Sequence, residues 1–500
     1  MTNFPMPDRA LPLYTAAQVR ELDHLAIEEA GIPGYTLMTR AGAACWQVLR
    51  DNWPDARRVS VVCGTGNNGG DGYVVARLAQ AAGLQVQLLQ LGDVARIHGD
   101  AARARQDFLA AGGQVAAFDQ ASLDVPDVIV DAMLGTGLER PLGGMWLDAA
   151  KAINASGCPV LAVDVPTGLL ADSGHVPGEA VRANLTATFI GRKQGLFTGL
   201  GPDYAGAVCF DDLGVPAYVH TRVPAGALLH AGPCLDGLGG PRRRGAHKGD
   251  FGHVLVIGGG PGMAGAVRLA GEAALRTGAG LVSLATHPEH ATSIAAQCPE
   301  LISHPVADAR QLRHLLAHAG VVVIGPGLGK SAWARRLLTC ALEAPQPLVV
   351  DADALNLLAT DVIRRENWIL TPHPGEAGRL LRQTTTAVQA DRFAAVRAIQ
   401  NRYAGSVVLK GAGSIIYSDA GPMAVCAAGN PGMATAGMGD VLSGIIGGLL
   451  AQGMPLSGAA LGGVCLHACA GDRAAQGGER GLLARDVSAE LRPLLNSATL

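Results

Sequence analysis

In the first half of the chain, polar side chains stand among glycines directly after a short apolar run. Val59–Cys63 is followed by GTGNNGGDG, which contains Asn67, Asn68 and Asp71 and satisfies the dinucleotide pattern G-x-G-x-x-G. The alternative interpretation is a turn in which Asn, Asp and Gly merely tolerate a positive φ. Six such residues in succession after a buried strand favour a ligand site, because backbone N–H groups near a helix N-terminus bind phosphate well.

Two more acids follow runs of β-branched residues. Asp131 opens DAMLGTGL and Asp164 opens DVPTGL. Ligands of a doubly wound sheet lie beyond the carboxyl ends of its strands, so both carboxylates are predicted to face one crevice. A helix N-cap is the alternative for each acid. Two acids that each lead into a glycine turn favour the functional interpretation.

The second half carries three comparable motifs. LTPHPGE holds His373 between two prolines, VVLKGAGS ends a strand at Lys410, and GMGDVLSG puts Asp440 at a helix N-terminus. N–H groups and the helix dipole there favour developing negative charge, and the acid can accept a proton from a substrate hydroxyl. A structural histidine and a simple N-cap aspartate are the alternatives. The run VVVIGPGLGKS fails the P-loop pattern because Ile324 stands where glycine is required.

These motifs need secondary-structure elements that position them, and the sequence shows a regular alternation of predicted strands and helices. Short β-branched runs lead into glycine-rich turns and then into helical segments throughout both halves. This predicts α/β architecture: two three-layer α/β/α domains with doubly wound, Rossmann-like sheets, over 1–222 and 223–500. The uncharged stretch Val441–Gly471 is interrupted by Gly453 and Pro455. It predicts two buried helices rather than one membrane span.

Composition narrows the function classes. The chain has 500 residues, a formal net charge of −3 and 16% charged residues, so it has no basic footprint for nucleic acid. Its ten cysteines are scattered without a Cys-x-x-Cys pair, which indicates core thiols rather than a disulfide scaffold or a metal cluster. No secretory signal is visible at the N-terminus. We therefore expect a cytoplasmic protein that binds neither membrane nor nucleic acid.

Together, NNGGDG, DAMLGTGL and DVPTG resemble the NAD(P)H-hydrate epimerase domain over residues 10–220. The resemblance implies a potassium ion held by Asn68, Asp131 and Thr167, and oxygen ligands suit such a hard cation. Epimerisation requires hydroxide to leave and re-enter at a hemiaminal carbon, and we predict Asp164 as the acid/base group. The positions implied to bind the hydrated nucleotide are Asn67, Asn68, Gly69, Gly70, Asp71, Gly135, Thr136, Gly137, Leu138, Glu139, Arg140, Pro141 and Asp164.

The second half resembles the ribokinase-like superfamily through its GMGD turn. GPGLG, DADALN, LTPHPGE, KGAGS and NPGMATAGMGD together are similar to the ADP- or ATP-dependent NAD(P)H-hydrate dehydratase, over residues 225–500. The resemblance implies Asp440 as the base, the Gly437–Gly439 amides as an anion hole, and Mg²⁺ with the nucleotide. The implied substrate positions are Ala266, Gly327, His373 and Asp440. The implied nucleotide positions are Lys410, Gly411, Ala412, Gly413, Ser414 and Gly439.

The two resemblances predict one bifunctional repair enzyme. It would epimerise R- and S-NADHX or NADPHX and dehydrate the S form with ADP as phosphoryl donor, yielding AMP and phosphate. K⁺ and Mg²⁺ are the implied ions, and a homo-oligomer is expected by analogy alone. The rivals are a ribokinase-like small-alcohol kinase fused to a non-catalytic nucleotide-binding module, and a hydride-transfer dehydrogenase. Preference between NADHX and NADPHX, and between ADP and ATP, stays open.

Overall fold

A computed structural model describes residues 10–119, 123, 126–236, 238, 242–419 and 421–497. The chain divides into two compact units, one comprising Pro12–Ala227 and the other beginning at Leu228. The prediction of a domain boundary between residues 222 and 223 stays a prediction. In the described part of the chain, no helix combines the length and apolarity needed to cross a membrane.

The N-terminal unit alternates strands and helices as the sequence predicts. Its strands are β1 (Leu11–Tyr14), β2 (Arg58–Cys63), β3 (Gln85–Gln90), β4 (Val115–Ala117), β5 (Val128–Ala132), β6 (Val160–Val163), β7 (Leu185–Phe189), β8 (Arg192–Lys193) and β9 (Ala207–Asp211), and β10 (Ala227–His230) contains the boundary. Its helices are α1 (Ala16–Glu28), α2 (Gly34–Asn52), α3 (Asn67–Ala81), α4 (Gly99–Ala110), α5 (Met145–Ala155), α6 (Gly201–Ala205) and α7 (Ala217–Arg222).

Seven of these strands form a wholly parallel sheet in the order β4-β3-β2-β5-β6-β7-β9. Chain order reverses between the paired strands β2 and β5, so the connections that follow them go to opposite faces of the sheet and leave a crevice at the carboxyl ends. Val59 and Val61 pack with residues of α2 and α3 on one face. Val62 packs with Ile153 of α5 on the other face. Helices therefore cover both faces, which confirms the three-layer Rossmann-like prediction.

The C-terminal unit also alternates strands and helices. Its strands are β11 (His253–Ile257), β12 (Leu281–Thr286), β13 (Ile302–Pro305), β14 (Val321–Ile324), β15 (Leu348–Val350), β16 (Trp368–Leu370), β17 (Ser406–Leu409), β18 (Ser414–Tyr417) and β19 (Met423–Cys426). Its helices are α8 (Ala264–Thr277), α9 (Ala291–Gln297), α10 (Ala309–Leu316), α11 (Ala332–Leu342), α12 (Ala352–Leu358), α13 (Pro374–Leu381), α14 (Thr385–Ala390), α15 (Arg392–Tyr403), α16 (Met438–Ala451), α17 (Leu456–Ala474) and α18 (Ala484–Ser497).

Its sheet runs β13-β12-β11-β14-β15-β16-β17 with parallel pairing, and β18 and β19 continue it with antiparallel pairing. Val254 and Val323 pack with Ala270 of α8 and Ile445 of α16 on one face. On the other face, α11 contacts β14 and α15 contacts β17. The uncharged stretch folds into α16 and α17, which pack against each other, so the prediction of two buried helices is confirmed.

Candidate active sites

A cavity of about 470 Å³ opens at the β2/β5 crevice of the N-terminal unit. Asn67, Asn68 and Asp71 line it, as do Gly135–Gly137 and Asp164. Three sequence motifs far apart in the chain therefore meet at one place. The predicted positions Gly69, Gly70, Leu138, Glu139, Arg140 and Pro141 are not among the residues that line this cavity. Their role in binding stays a prediction.

The NNGGDG motif forms the first turns of α3 rather than a turn that precedes the helix. Close packing explains its glycines: a β carbon on Gly69 would stand 2.1 Å from the Gly64 carbonyl oxygen, and one on Gly72 would stand 2.5 Å from Ala132 Cβ. The Asn68 Nδ2 is buried without a hydrogen-bond partner. A β carbon on Gly135 would lie 3.3 Å from both Asn68 Oδ1 and Asp164 Oδ2, so these side chains meet at Gly135.

Asp131 is fully buried, and its hydrogen bonds come from nearby loops. Its carboxylate accepts from the Thr167 amide at 2.8 Å, from the Thr167 hydroxyl at 2.7 Å and from the Met133 amide at 3.2 Å. Among the residues described, no Lys, Arg or His forms an ion pair with it. Burial raises the pKa of Asp131 to about 6, although the Thr167 hydrogen bonds oppose the shift.

Asp164 is held in a strained and well-defined position. Its φ of +67° is unusual for a residue with a side chain, and its amide donates to the Ala187 carbonyl at 2.7 Å. Its carboxylate accepts from the Thr188 hydroxyl at 3.2 Å and pairs with the ammonium of Lys193, which is 1% exposed. The Lys193 ammonium also donates to the Phe189 carbonyl at 2.9 Å. This geometry presents the Asp164 carboxyl group to the cavity.

Sequence reasoning missed four other titratable groups at this cavity, which are Arg20, Asp23, Asp100 and Lys193. Burial raises the pKa of Asp23 to about 6, with Lys193 opposing and Asp164 reinforcing the shift. Burial also raises the pKa of Asp71, and the nearby Asp164 and Asp23 add to this effect. Lys193 is the second residue of the short strand β8, and a single sequence cannot distinguish a buried lysine there from a surface one.

In the C-terminal unit, the GMGD turn lies where the sequence predicts. Gly437 has a φ of +88° and caps α16, and Asp440 lies in the first helical turn. A β carbon on Gly439 would stand 3.3 Å from Lys410 Nζ and 3.5 Å from Asp351 Oδ2. The structure therefore brings the predicted base and the predicted nucleotide-binding lysine to one helix N-terminus.

Asp351 and Glu376 complete a charged network that sequence reasoning missed. Lys410 Nζ lies 2.7 Å from Asp351 Oδ1 and 3.8 Å from Glu376 Oε2. The Ser443 hydroxyl donates to Asp351 Oδ2 at 2.6 Å, which ties the network to α16. Asp351 follows an apolar run as Asp131 and Asp164 do, so the same signal could have found it.

His373 lies at the edge of this network as the N-cap of α13. Its Nδ1 accepts from the Gly375 amide at 3.0 Å, and its Nε2 lies 3.3 Å from Glu376 Oε1. Glu376 Oε2 accepts from the His373 amide at 2.8 Å, which closes a capping box. Burial and the nearby Lys410 lower the pKa of His373, so the imidazole is neutral at physiological pH.

The other predicted positions fall into two local groups. A β carbon on Gly327 would lie 3.0 Å from Ala266 Cβ, so the glycine turn after β14 meets the start of α8. In the KGAGS turn, the Ser414 hydroxyl donates to the Gly411 carbonyl at 3.0 Å. The Gly411 backbone lies close to the guanidinium of the buried Arg392, which binds the Lys410 carbonyl at 3.3 Å. Arg392 adds a positive charge that sequence reasoning missed.

Burial raises the pKa values of two acids in this unit. It raises the pKa of Asp440 to about 7, with Asp351 adding to the shift and Lys410 opposing it. It raises the pKa of Glu376 to about 7, with Lys410 opposing and Asp351 reinforcing the shift. An acid with a pKa near neutrality can accept and return a proton under physiological conditions.

Comparisons with known proteins agree with the prediction of two different enzyme domains in one chain. A family model described as NAD(P)H-hydrate dehydratase matches residues 254–493, and one described as YjeF-related protein N-terminus matches residues 34–195. The bifunctional NAD(P)H-hydrate repair enzyme Nnr of Coxiella burnetii is 51% identical over 97% of this chain and 99% of its own. The Escherichia coli enzyme of that name is 42% identical over 97% and 94%.

Among solved structures, the ADP/ATP-dependent NAD(P)H-hydrate dehydratase of Bacillus subtilis, co-crystallised with ATP and Mg²⁺, is 26% identical. It matches 52% of this chain and 94% of its own, with a TM-score of 0.46.

The chain has two α/β units, and each unit matches a different family model. This arrangement defines a bifunctional enzyme. The chain belongs to the bifunctional NAD(P)H-hydrate repair enzymes. Its N-terminal unit is the epimerase and its C-terminal unit is the dehydratase. This confirms the predicted function over the alcohol-kinase alternative.

Proposed function

We propose that Asp164 and Asp440 are the catalytic carboxyl groups of the two activities, with Asp164 as acid and base in the epimerase and Asp440 as base in the dehydratase. One observation carries the proposal: each unit places a carboxylate and a lysine at the carboxyl edge of its sheet. Asp164 pairs with the buried Lys193, and Asp440 lies one residue beyond Gly439, which packs against Lys410. Both sites thereby combine a proton carrier with a fixed positive charge.

In the epimerase, the substrate is a hemiaminal at C6 of the reduced nicotinamide ring. Asp164 gives a proton to the departing hydroxyl group, and the ring nitrogen supplies the electrons that leave an iminium carbon. A water molecule then adds from either face while a carboxylate takes its proton. Lys193 holds Asp164 in place and stabilises its ionised form between the two steps. Asn67, Asn68, Asp71 and Gly135–Gly137 bind the nucleotide.

A potassium ion fits beside this cavity. Asn68, Asp131 and Thr167 would hold it, since they offer amide, carboxylate and hydroxyl oxygens. The fit rests on Asp131, a fully buried carboxylate whose hydrogen-bond partners are all neutral. When bound, the ion supplies a fixed positive charge that helps to bind the anionic nucleotide. Asp131 and Thr167 link the loops after β5 and β6, so the same contacts align Gly135 with Asp164.

In the dehydratase, we propose ADP as the phosphoryl donor. Asp440 takes the proton of the S-hydrate hydroxyl while that oxygen attacks the β-phosphorus, and AMP leaves. The phosphate ester then departs as inorganic phosphate, and loss of a proton from C5 restores the double bond of NADH or NADPH. The Gly437–Gly439 amides and Lys410 stabilise the phosphoryl group as charge develops. His373, Ala266 and Gly327 position the hydrate.

Magnesium is the proposed companion of ADP. Magnesium in nucleotide enzymes keeps several waters and needs only one or two carboxylates besides the phosphates. Asp353 can serve, because it lies close enough to Asp440 to raise the pKa of that acid. Its Oδ2 also accepts from the Gly329 amide at 2.9 Å, which holds Asp353 of α12 against the glycine turn after β14. When bound, the ion neutralises phosphate charge.

The test is the appearance of reduced nicotinamide after the full chain is added to separated R- and S-NADHX with ADP, Mg²⁺ and K⁺. Asp440→Asn should abolish product from both epimers, and Asp164→Asn should abolish it from R alone. Product from R at the wild-type rate in Asp164→Asn would refute the assigned role of Asp164. Replacing ADP by ATP in parallel reactions decides the phosphoryl donor.

The family relationship also supports a cytoplasmic homo-oligomer. Light scattering of the full chain measures its oligomeric state. Fractionation of cells that express the full chain measures its location.

A further inference from the structure

A group of thiols lies in the C-terminal unit where β10 and β19 meet α17. The thiol cluster consists of Cys234, Cys426 and Cys465 together with His230. The Ala427 amide donates to the His230 carbonyl at 2.8 Å, which joins β19 to the end of β10. A β carbon on Gly462 would lie 2.8 Å from the Cys234 carbonyl oxygen, so the segment after β10 packs on α17 one turn before Cys465.

Cys234 is held against its neighbours in an unusual conformation. Its φ is +48°, in the left-handed region that residues with side chains rarely adopt. Its sulfur lies 3.3 Å from His230 Nδ1 and 3.3 Å from the Gly232 carbonyl oxygen. The Cys465 thiol lies beside it, and Cys234 packs against the core cluster that contains both Cys465 and Cys426. The cluster thus places an imidazole and a second thiol beside one partly exposed sulfur, whose own S–H donates to the Gly232 carbonyl.

This environment distinguishes Cys234 from the other cysteines. The hydrogen bond from Cys465 lowers the pKa of Cys234, and His230 contributes in the same direction. For Cys298, which is also partly exposed, burial and the acids Glu272 and Glu300 raise the pKa of the thiol. The pKa of the buried Cys465 is raised as well. Low-pKa, accessible thiols beside a second thiol are the ones that peroxides oxidise.

We propose that Cys234 is a peroxide-reactive site and that Cys465 is its resolving thiol. The Cys234 thiolate attacks one oxygen of a hydroperoxide, the O–O bond breaks, and hydroxide or alkoxide leaves to take up a proton. The resulting sulfenic acid is attacked by the Cys465 sulfur, which forms the S–S bond and releases water. Two thiols are thereby oxidised, and one hydroperoxide is reduced to water or an alcohol.

A metal site is the competing use of clustered thiols. Within the described ranges, no group of three or more His, Cys, Asp or Glu side chains has an arrangement that could hold a metal ion. All ten cysteines are free. The geometry therefore favours oxidation chemistry at Cys234.

The experiment treats the full chain near neutral pH with less than one equivalent of hydrogen peroxide, then alkylates the remaining thiols and maps the peptides by mass spectrometry. We expect a Cys234–Cys465 disulfide that a dithiol reductant reverses. Cys234 should lose its free thiol roughly tenfold faster than Cys298, because its thiolate fraction is larger. In Cys465→Ser, oxidation should stop at a sulfenic acid on Cys234 that a cyclic 1,3-dione traps.

Two comparisons make the result decisive. The matched variant Cys298→Ser should form the disulfide at the wild-type rate, whereas Cys234→Ser should not form it. In denaturant, the preference for Cys234 over Cys298 should vanish, because it arises from the fold. Equal oxidation of Cys234 and Cys298 in the folded wild-type chain would overturn the proposal without recourse to any variant. So would a disulfide that joins Cys465 to another thiol.

Discussion

Gly439, the residue before Asp440, packs so closely against the Lys410 ammonium that a methyl group on Gly439 would crowd it. A β carbon at Gly439 would stand 3.3 Å from Lys410 Nζ and 3.5 Å from Asp351 Oδ2. The lysine is held by Asp351 at 2.7 Å, so it cannot move freely away from the helix. The glycine therefore sets the distance between the helix N-terminus and the charge that faces it.

Substitution of this glycine should impair nucleotide binding more than folding. Gly439→Ala is expected to weaken ADP binding about tenfold, corresponding to about 1.4 kcal/mol. Calorimetric titration with ADP measures the change, and the thermal midpoint checks the fold. The matched control is Gly477→Ala, where a β carbon would meet nothing within 4 Å. Unchanged ADP affinity in Gly439→Ala would contradict the assigned contact.

The pH dependence of the dehydratase should follow Asp440. Burial raises its pKa to about 7, and a base must be deprotonated to accept the substrate proton. Turnover of S-NADHX should therefore rise as the pH increases through about 7 and fall about tenfold per pH unit below it. Initial rates at saturating substrate and ADP across this range give the profile.

Glu376 provides the control for this profile, because burial raises its pKa to about 7 as well. Glu376→Gln keeps an oxygen acceptor for the His373 amide and removes the second titration. The acidic limb should persist in this variant at a lower overall rate. If Glu376→Gln lost the acidic limb, the group that titrates would be Glu376, and the assignment of the limb to Asp440 would be refuted.

The sequence predicted elements and strand-end acids well because their signals are local. Apolar β-branched runs specify the buried parallel strands, so Asp131 and Asp164 could be placed at one sheet edge from pattern alone. The partners of these acids could not be predicted. Lys193 lies 29 residues after Asp164, and Lys410 lies 59 residues after its partner Asp351. Only the tertiary packing brings each pair together.

One local prediction differed from the structure for a physical reason. The NNGGDG motif is rich in glycine and suggests a turn, yet it is helical from Asn67. Close approach to β5 requires small residues there, because a β carbon on Gly72 would stand 2.5 Å from Ala132 Cβ. Propensity alone cannot separate these two uses of glycine.

Potassium binding should stabilise the N-terminal unit in a pH-dependent manner. The pKa of Asp131 is raised to about 6, so the carboxylate that would bind the ion is ionised above that pH and protonated below it. Potassium chloride should raise the thermal midpoint relative to choline chloride, and the increment should shrink as the pH falls through about 6. At ten times its dissociation constant, a ligand contributes about 1.4 kcal/mol.

Asp131→Asn should remove this potassium increment, whereas the exposed Asp148→Asn in α5 should retain it. An equal increment in Asp131→Asn and in the wild type would contradict the proposed ligand set. Thermal melts in the two chlorides at matched ionic strength provide both readings.

Asp164 and Lys193 should be coupled in both stability and catalysis. Asp164→Asn keeps the shape and tolerates the positive φ, yet it leaves a 1% exposed ammonium without its counter-charge. Breaking such a buried pair should lower the free energy of unfolding by about 3 kcal/mol, and Lys193→Met should restore part of that loss in the double variant.

Product formation from R-NADHX should fall by about 10²-fold or more in Asp164→Asn, because general acid–base assistance is lost. Dehydration of S-NADHX should be unchanged, since Asp440 lies in the other unit. Chemical denaturation of the four variants and rates with each epimer measure both effects, and additive stability losses would show that the pair is not coupled.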